Sequence, residues 1–291
     1  MSKKILVTGA TGQLGREVVN QLLDKVKAND IHALVRDTAK ADDLKSKGVS
    51  LVKGDYTNYE SLVDAFTGVE KLYFVSSSDV MNRLTQHENV VKAADAAKVG
   101  HIFYTSAQRK SEDGTSPIGI VGDAHWKTDI LLKKSGLTYT ILKHALYADI
   151  LPMFMGEKVL ETGIYLPAGD GKVSFATRKD MASVASVVLT TAGHENKVYE
   201  IAGETSYSFK DVAEILSDLS GKNVAYISPS AEEFSEVLRG KGLPEQMIMG
   251  TVTFCQAIAQ GEFDFPNGTL KKLLGRDPQS VRDYLKTAYK L

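Results

Sequence analysis

Residues 4–23 read KILVTGATGQLGREVVNQLL. A short apolar run leads into three glycines spaced by three, Gly9, Gly12 and Gly15, and then into an amphipathic stretch. A glycine triplet alone is a weak signal, so the strand–loop–helix context gives it weight. Gly9 permits a tight turn, Gly12 lets backbone approach a diphosphate, and Gly15 lets the helix pack close against the strand. Val18, Val19, Leu22, Leu23 and Val26 then form one apolar stripe at helical spacing. A helix starting here directs the backbone N–H groups of Ala10, Thr11, Gln13 and Leu14, and its positive dipole end, toward a bound anion.

Working outward, the same rhythm repeats. Strands are expected at 4–8, 31–35, 50–52, 71–76, 101–105 and 138–142, most of them nearly continuous apolar runs. Such runs suit parallel strands covered on both faces. The segment 86–98, with Val90, Val91, Ala94 and Ala97, is one of the helices expected between them. The alternation predicts an α/β fold, a Rossmann-type doubly wound parallel sheet. After residue 150 the rhythm changes. Residues 156–180 are rich in Gly and turn formers and read as a connecting region with short strands, 179–192 reads as a helix, KVYEIAGE as a strand, and most of 208–291 as helical. The expected organisation is a dinucleotide-binding domain at 1–150, with part of 177–203 returning to it. A smaller, mainly helical C-terminal domain from 151–176 and 204–291 covers the substrate.

Composition narrows the class. The 291 residues are long enough for both units, and 43% hydrophobic with 24% charged content is that of a globular protein. A formal net charge of −1 gives no pull toward nucleic acid or an anionic membrane. The single cysteine, Cys255, excludes an internal disulfide and suits a reducing compartment. No apolar run approaches the ~18–20 residues that span a bilayer. A cytoplasmic protein is expected, with a homodimer left open.

The end of the second strand selects the dinucleotide. An acidic side chain there holds a ribose 2′-hydroxyl, whereas an arginine holds a 2′-phosphate. Here stands Arg36, followed by Asp37, with Lys40 nearby. Arg36 can fork onto the phosphate; Asp37 keeps a ribose contact open. NADP(H) is the favoured form. Along the same edge, Asp55 is placed to meet the adenine amino group. Ser76, Ser77 and Ser78 suit a ribose, and Thr105 closes the fifth strand. All are expected at carboxyl ends of strands, where ligands bind in such sheets.

The chain contains one Tyr followed four residues later by Lys, in YTILK, residues 139–143. On a helix that spacing joins a phenol to an activating ammonium within about 5–6 Å. The β-branched surroundings predict a strand instead, which separates the two by roughly 13 Å. The match is a decoy. The preceding helix, GDAHWKTDILLKKSG, has no Tyr, but it carries His125, a candidate polar donor near an acceptor. Without a phenolic acid, chemistry on simple alcohols or ketones is disfavoured. Hydride transfer to an electron-poor conjugated acceptor needs only positioning and a few donors.

With these residues identified, the chain resembles atypical short-chain dehydrogenases of the NmrA-like group. It is most similar to the NAD(P)H:quinone oxidoreductase type 2 subfamily, with triphenylmethane dye reductases as near neighbours. VTGATGQLG, ALVRD, GVEKLYFVSSS, QHENVVKAADAAKVGHIFYTS and HWKTDILLKKSGLTYTIL carry the resemblance, which extends over nearly the whole chain. It implies NADP(H) held by Gly9–Gly15 and Arg36, with residues 76–78 along the cofactor. It also implies that His144, Ala145, Leu146 and Tyr147 pass beside the nicotinamide, with Tyr147 between cofactor and acceptor. Lys143 stands where many relatives have Arg, and HALYAD departs from the Asn-Gly type of sequence seen in the quinone reductases.

The leading expectation is therefore an NADPH-dependent oxidoreductase acting on a quinone or similar aromatic acceptor. Tyr147, Met153 and Phe154 would line an apolar slot, and residues 107–122 have turn chemistry suited to a mobile cover. The alternative is a non-catalytic NADP(H)-sensing NmrA-like regulator. No metal site is expected.

Overall fold

The computed structural model describes residues 4–291. Seven parallel strands form the central sheet: β1 (Ile5–Val7), β2 (Ile31–Val35), β3 (Ser50–Lys53), β4 (Lys71–Phe74), β5 (His101–Ala107), β6 (Tyr139–His144) and, late in the chain, β9 (Lys197–Ile201). Their order across the sheet is β3-β2-β1-β4-β5-β6-β9. Order reverses between β1 and β4, so a crevice opens above their carboxyl ends, where doubly wound sheets bind ligands. The outlying short strands are β7 (Ile164–Tyr165), β8 (Lys172–Val173), β10 (Tyr207–Ser208) and β11 (Tyr226–Ile227).

Helices cover both faces. On one face α1 (Gln13–Leu23) packs beside the late helix α8 (Arg178–Thr190), burying Val18, Val19 and Leu22 with Met181, Ala185 and Val188. After a short α2 (Asp42–Ser46), the other face is covered by α3 (Tyr59–Phe66), α4 (Arg83–Ala96) and α5 (Ile120–Lys134). These bury Leu62, Phe66, Val90, Val91 and Leu132 against Leu6, Leu72, Phe74 and Tyr104. A fully buried side chain of this size contributes about 1.5–3 kcal/mol, so these two layers fix the strand order on which the crevice depends.

A third apolar cluster lies after residue 150. The short α6 (Leu151–Met155) and α7 (Val159–Thr162) contribute Leu151 and Val159. Further residues come from α9 (Phe209–Ser220), α10 (Ala231–Gly240), α11 (Glu245–Ala259) and α13 (Val281–Ala288), while α12 (Thr269–Leu274) packs back on the sheet side. Part of the stretch expected as a connection with short strands is thus helical, because Leu151 and Val159 are drawn into this cluster. Cys255 is buried in it.

One boundary differs with consequence. Strand β6 was expected to stop at Leu142, yet it runs to His144 because Lys143 pairs in register with Glu200 and His144 with Ile201 of β9. A lysine inside a buried strand is tolerated here because Glu112 and Glu200 both reach its ammonium group.

Candidate active site

The first turn of α1 is built by the glycines. Gly9 has φ +60, a left-handed conformation that disfavours a side chain, and an added Cβ would lie 3.1 Å from Val75. At Gly15 a Cβ would fall 2.4 Å from the Gly9 carbonyl oxygen, inside contact distance, so only glycine lets α1 lie this close. Gly12 caps α1 with no side chain occupying its first-turn N–H groups. Those groups are left for an anion.

Above them lies a cavity of about 400 Å³, lined among others by Gly9, Thr11–Gly15, Arg36, Asp55 and Ser76–Ser78. These sequence-predicted residues, from four different strand ends, therefore meet at one crevice. Ala10, expected among the cofactor contacts, is fully buried and does not line the cavity. Arg36 is exposed, and among the described residues it forms no ion pair. Asp37 is engaged otherwise: its Oδ1 accepts the Ala39 N–H at 3.1 Å, capping the turn that follows β2. One oxygen of Asp37 is thus engaged locally, whereas Arg36 forms no ion pair among the described residues. Asp55 spends Oδ1 on the backbone N–H and hydroxyl of Thr57, each at 2.9 Å. Thr105 does not line the cavity. Its buried hydroxyl accepts the Ser76 N–H at 2.8 Å, so it acts on that edge through Ser76.

Beyond Ser77 the site continues into a buried polar chain that spacing did not reveal. Ser77 N–H donates to His87 Nε2 at 3.0 Å. Thr128 gives its hydroxyl hydrogen to the Ala124 carbonyl, so its oxygen accepts from His87 Nδ1, 2.9 Å away. The His87 tautomer follows from its partners: Nδ1–H donates and Nε2 accepts. The Tyr104 hydroxyl lies 3.4 Å from His87 Nδ1, itself a donor, and 2.8 Å from His125 Nδ1; taking the latter as the phenol's acceptor assigns the hydrogen of His125 to Nε2. Burial, with Arg83 second, holds His125 well below the ordinary histidine value and brings His87 down to about 3. Both imidazoles are neutral at physiological pH. His125, the candidate donor, lies in the second turn of α5 and is buried.

The residues after β6 lie across the sheet end from this chain. His144 Nδ1 and the Tyr147 hydroxyl are 2.9 Å apart, and Tyr147 carries the Arg178 guanidinium 4.6 Å above its ring. Burial raises the Tyr147 phenol to about 12 and lowers His144 to about 3. Tyr147 packs into the same cluster as Val75, which lines the cofactor crevice, whereas Leu146 turns toward the third cluster and Ala145 is buried. His144 Nε2 and both side-chain atoms of Gln108 are buried without partners.

Two expectations about the acceptor side need correction. Met153 is 76% exposed and Phe154 packs at 6.4 Å on Phe209 within the third cluster, so neither joins Tyr147 in a slot. The segment after β5 is also anchored. Arg109 pairs with Glu112 and Asp129, Trp126 Nε1 donates to the Glu112 carbonyl, and Ser116 bonds Glu262. As for the Tyr/Lys match, both residues lie on β6: Tyr139 opens the strand and Lys143 is held by two glutamates.

With this geometry in place, comparison with known proteins is informative. The model of the NmrA-like family matches residues 1–284. The chain belongs to the NmrA-like family. This NmrA-like chain is 39% identical over 280 residues to quinone oxidoreductase 2 of Escherichia coli, covering 96% of each chain. Among solved structures, it resembles the NADPH complex of an NADPH-dependent quinone oxidoreductase from Escherichia coli. The TM-score is 0.92 at 37% identity, with 98% of this chain and 99% of the other covered. It also resembles the NADP(H) complex of triphenylmethane reductase from Citrobacter. There the TM-score is 0.90 at 39% identity, with 98% of this chain and the whole of that one covered. Among the described residues no helix is long and apolar enough to cross a membrane.

Proposed function

We propose that this chain is an NADPH-dependent oxidoreductase that transfers hydride directly to a quinone or a similar electron-poor conjugated acceptor. The observation that carries the reading is the open glycine cradle beside an unpaired Arg36, on a sheet whose α5 has no tyrosine. The backbone of Gly9–Gly15 holds the diphosphate and Arg36 the 2′-phosphate. Asp55 meets the adenine, Ser76–Ser78 flank a ribose with Thr105 behind them, and His144–Tyr147 pass beside the nicotinamide. When bound, NADPH supplies the hydride.

What remains for the chain is to orient the acceptor and stabilise its product. A quinone that has received hydride is a hydroquinone monoanion, delocalised and weakly basic, which takes its last proton from water. Such a product needs hydrogen-bond donors rather than a strong acid. His125, neutral with its hydrogen on Nε2, is one donor; Tyr147, kept protonated by burial, is another. The unit formed by 151–176 and 204–291 covers the acceptor and excludes water. The acceptor is a small flat molecule rather than a nucleic acid or a membrane, and the protein works in the cytoplasm.

The reductase names of the relatives support this reading over a regulator that only senses NADP(H). The test is turnover. Purified protein, NADPH and a panel of quinones are expected to show loss of the reduced-nicotinamide absorbance. Intact NADPH binding without any turnover would leave the sensor reading instead.

A further inference from the structure

One strongly charged side chain next to this site is not used by the reading above. Arg83, the first residue of α4, is 8% exposed. Its Nε donates to the Ser77 carbonyl at 2.7 Å, fixing it against the wall of the crevice, while Nη1 is buried without a partner. Among the described residues no carboxylate lies within ion-pair distance of it. Asp79 acts on it only at longer range, and its oxygens are already taken by Asn82 and Gln86. The other groups within reach of its charge, His87, Tyr104 and His125, are all neutral.

A buried guanidinium nitrogen without an acceptor, on a cation without a counter-ion, is costly in the absence of compensation. Arg83 stands at the edge of the crevice: it bonds Ser77, which lines the cavity, and Ser77 bonds His87, whose ring lies 6.2 Å from that of His125. We propose that Arg83 stabilises the negative oxygen of the reduced acceptor as its cationic partner, beside the neutral donors His125 and Tyr147. The inference rests on the reductase reading. The acceptor gains two electrons and one hydrogen from NADPH, leaves as the hydroquinone monoanion, and is protonated by water. The charge that develops is one negative unit on oxygen, and Arg83 is the cation that answers it.

Two measurements test this, using full-length protein and the variants Arg83→Gln and Arg83→Lys, each first checked for folding and NADPH affinity. The first is binding of 2-hydroxy-1,4-naphthoquinone, anionic at neutral pH, against neutral 1,4-naphthoquinone, with and without NADP+. Arg83→Gln is expected to weaken the anion by about 10-fold or more while leaving the neutral ring unchanged, with Arg83→Lys intermediate. The second is kcat/KM across quinones of graded electron deficiency. The loss in Arg83→Gln is expected to grow to about 100-fold for acceptors whose hydroquinone anions are most basic. A uniform loss across the series, or equal loss of both ligands, would assign Arg83 to bracing the Ser77 loop and overturn the proposal. If the wild-type chain binds the anion through Arg83 but turns over no quinone, the reductase reading fails while the anion site stands.

Discussion

Arg109 and Asp129 meet at 2.5 Å with both side chains about 1% exposed. Asp129 Oδ2 also accepts from Ser106, and Arg109 extends to Glu112, so the pair joins β5, α5 and the intervening segment. Removing Asp129 leaves the buried Arg109 with only the half-exposed Glu112 as counter-ion, which costs up to about 3–5 kcal/mol. Asp129→Ala should therefore lower the denaturation midpoint sharply, whereas an exposed pair such as Lys98–Asp95 contributes ~1 kcal/mol or less. Parallel urea unfolding of Asp129→Ala and Asp95→Ala checks this; equal, small shifts would refute it.

Tyr139 is the residue that a motif search selects and the fold rejects. It begins β6, partly exposed, on a strand whose Lys143 is engaged by Glu112 and Glu200. Tyr139→Phe should leave quinone turnover within about 2-fold of wild type, since surface changes away from special features shift stability by at most about 0.5 kcal/mol. A drop of tenfold or more in kcat with folding intact would restore Tyr139 as an acid.

Arg36 faces the cavity edge without an ion pair while Asp37 is tied to Ala39. A hydrogen bond to a charged group contributes about 1.5–3 kcal/mol, so Arg36→Ala should weaken NADPH by roughly 10- to 100-fold. NADH, which lacks the 2′-phosphate, should change little. Titration of both nucleotides by fluorescence gives the ratio directly. An equal loss for the two would move the 2′-phosphate away from Arg36.

The parallel sheet and the glycine cradle were legible because each depends on local pattern: apolar runs of strand length, and glycines where a turn and a close approach demand them. The end of β6 was misjudged because its extension depends on β9, some sixty residues away, and on glutamates that meet Lys143 only in three dimensions. His125 was visible as a residue type but not as one tautomer, which is set by Tyr104 and ultimately by Thr128 and Ser77. Arg83 and His87 carry a signal in the sequence itself. They continue the buried stripe of Val90, Val91 and Ala94 at helical spacing, so two polar groups stand on a face that should be apolar. Polar residues on a buried stripe mark the places where packing has yielded to chemistry.

The same buried imidazoles make stability depend on pH in a defined window. His87 and His144 are held down to about 3 and His101 to about 4, each chiefly by burial. In the unfolded chain they titrate near 6.5. Above that pH both states are neutral and the groups have no effect. As pH falls below about 6.5 the unfolded state takes up protons that the folded state refuses, so stability is lost progressively until the folded groups titrate near 3–4. The linkage slope is about 1.4 kcal/mol per pH unit for each histidine, or about 2 kcal/mol each at pH 5. Urea midpoints should therefore fall steeply from pH 7 to pH 5, and His87→Gln, whose amide still offers a donor and an acceptor, should flatten the slope by one histidine's share. A wild-type midpoint unchanged between pH 7 and pH 5 would mean that these imidazoles accept protons while folded, and that the neutral tautomer assigned to His125 does not hold.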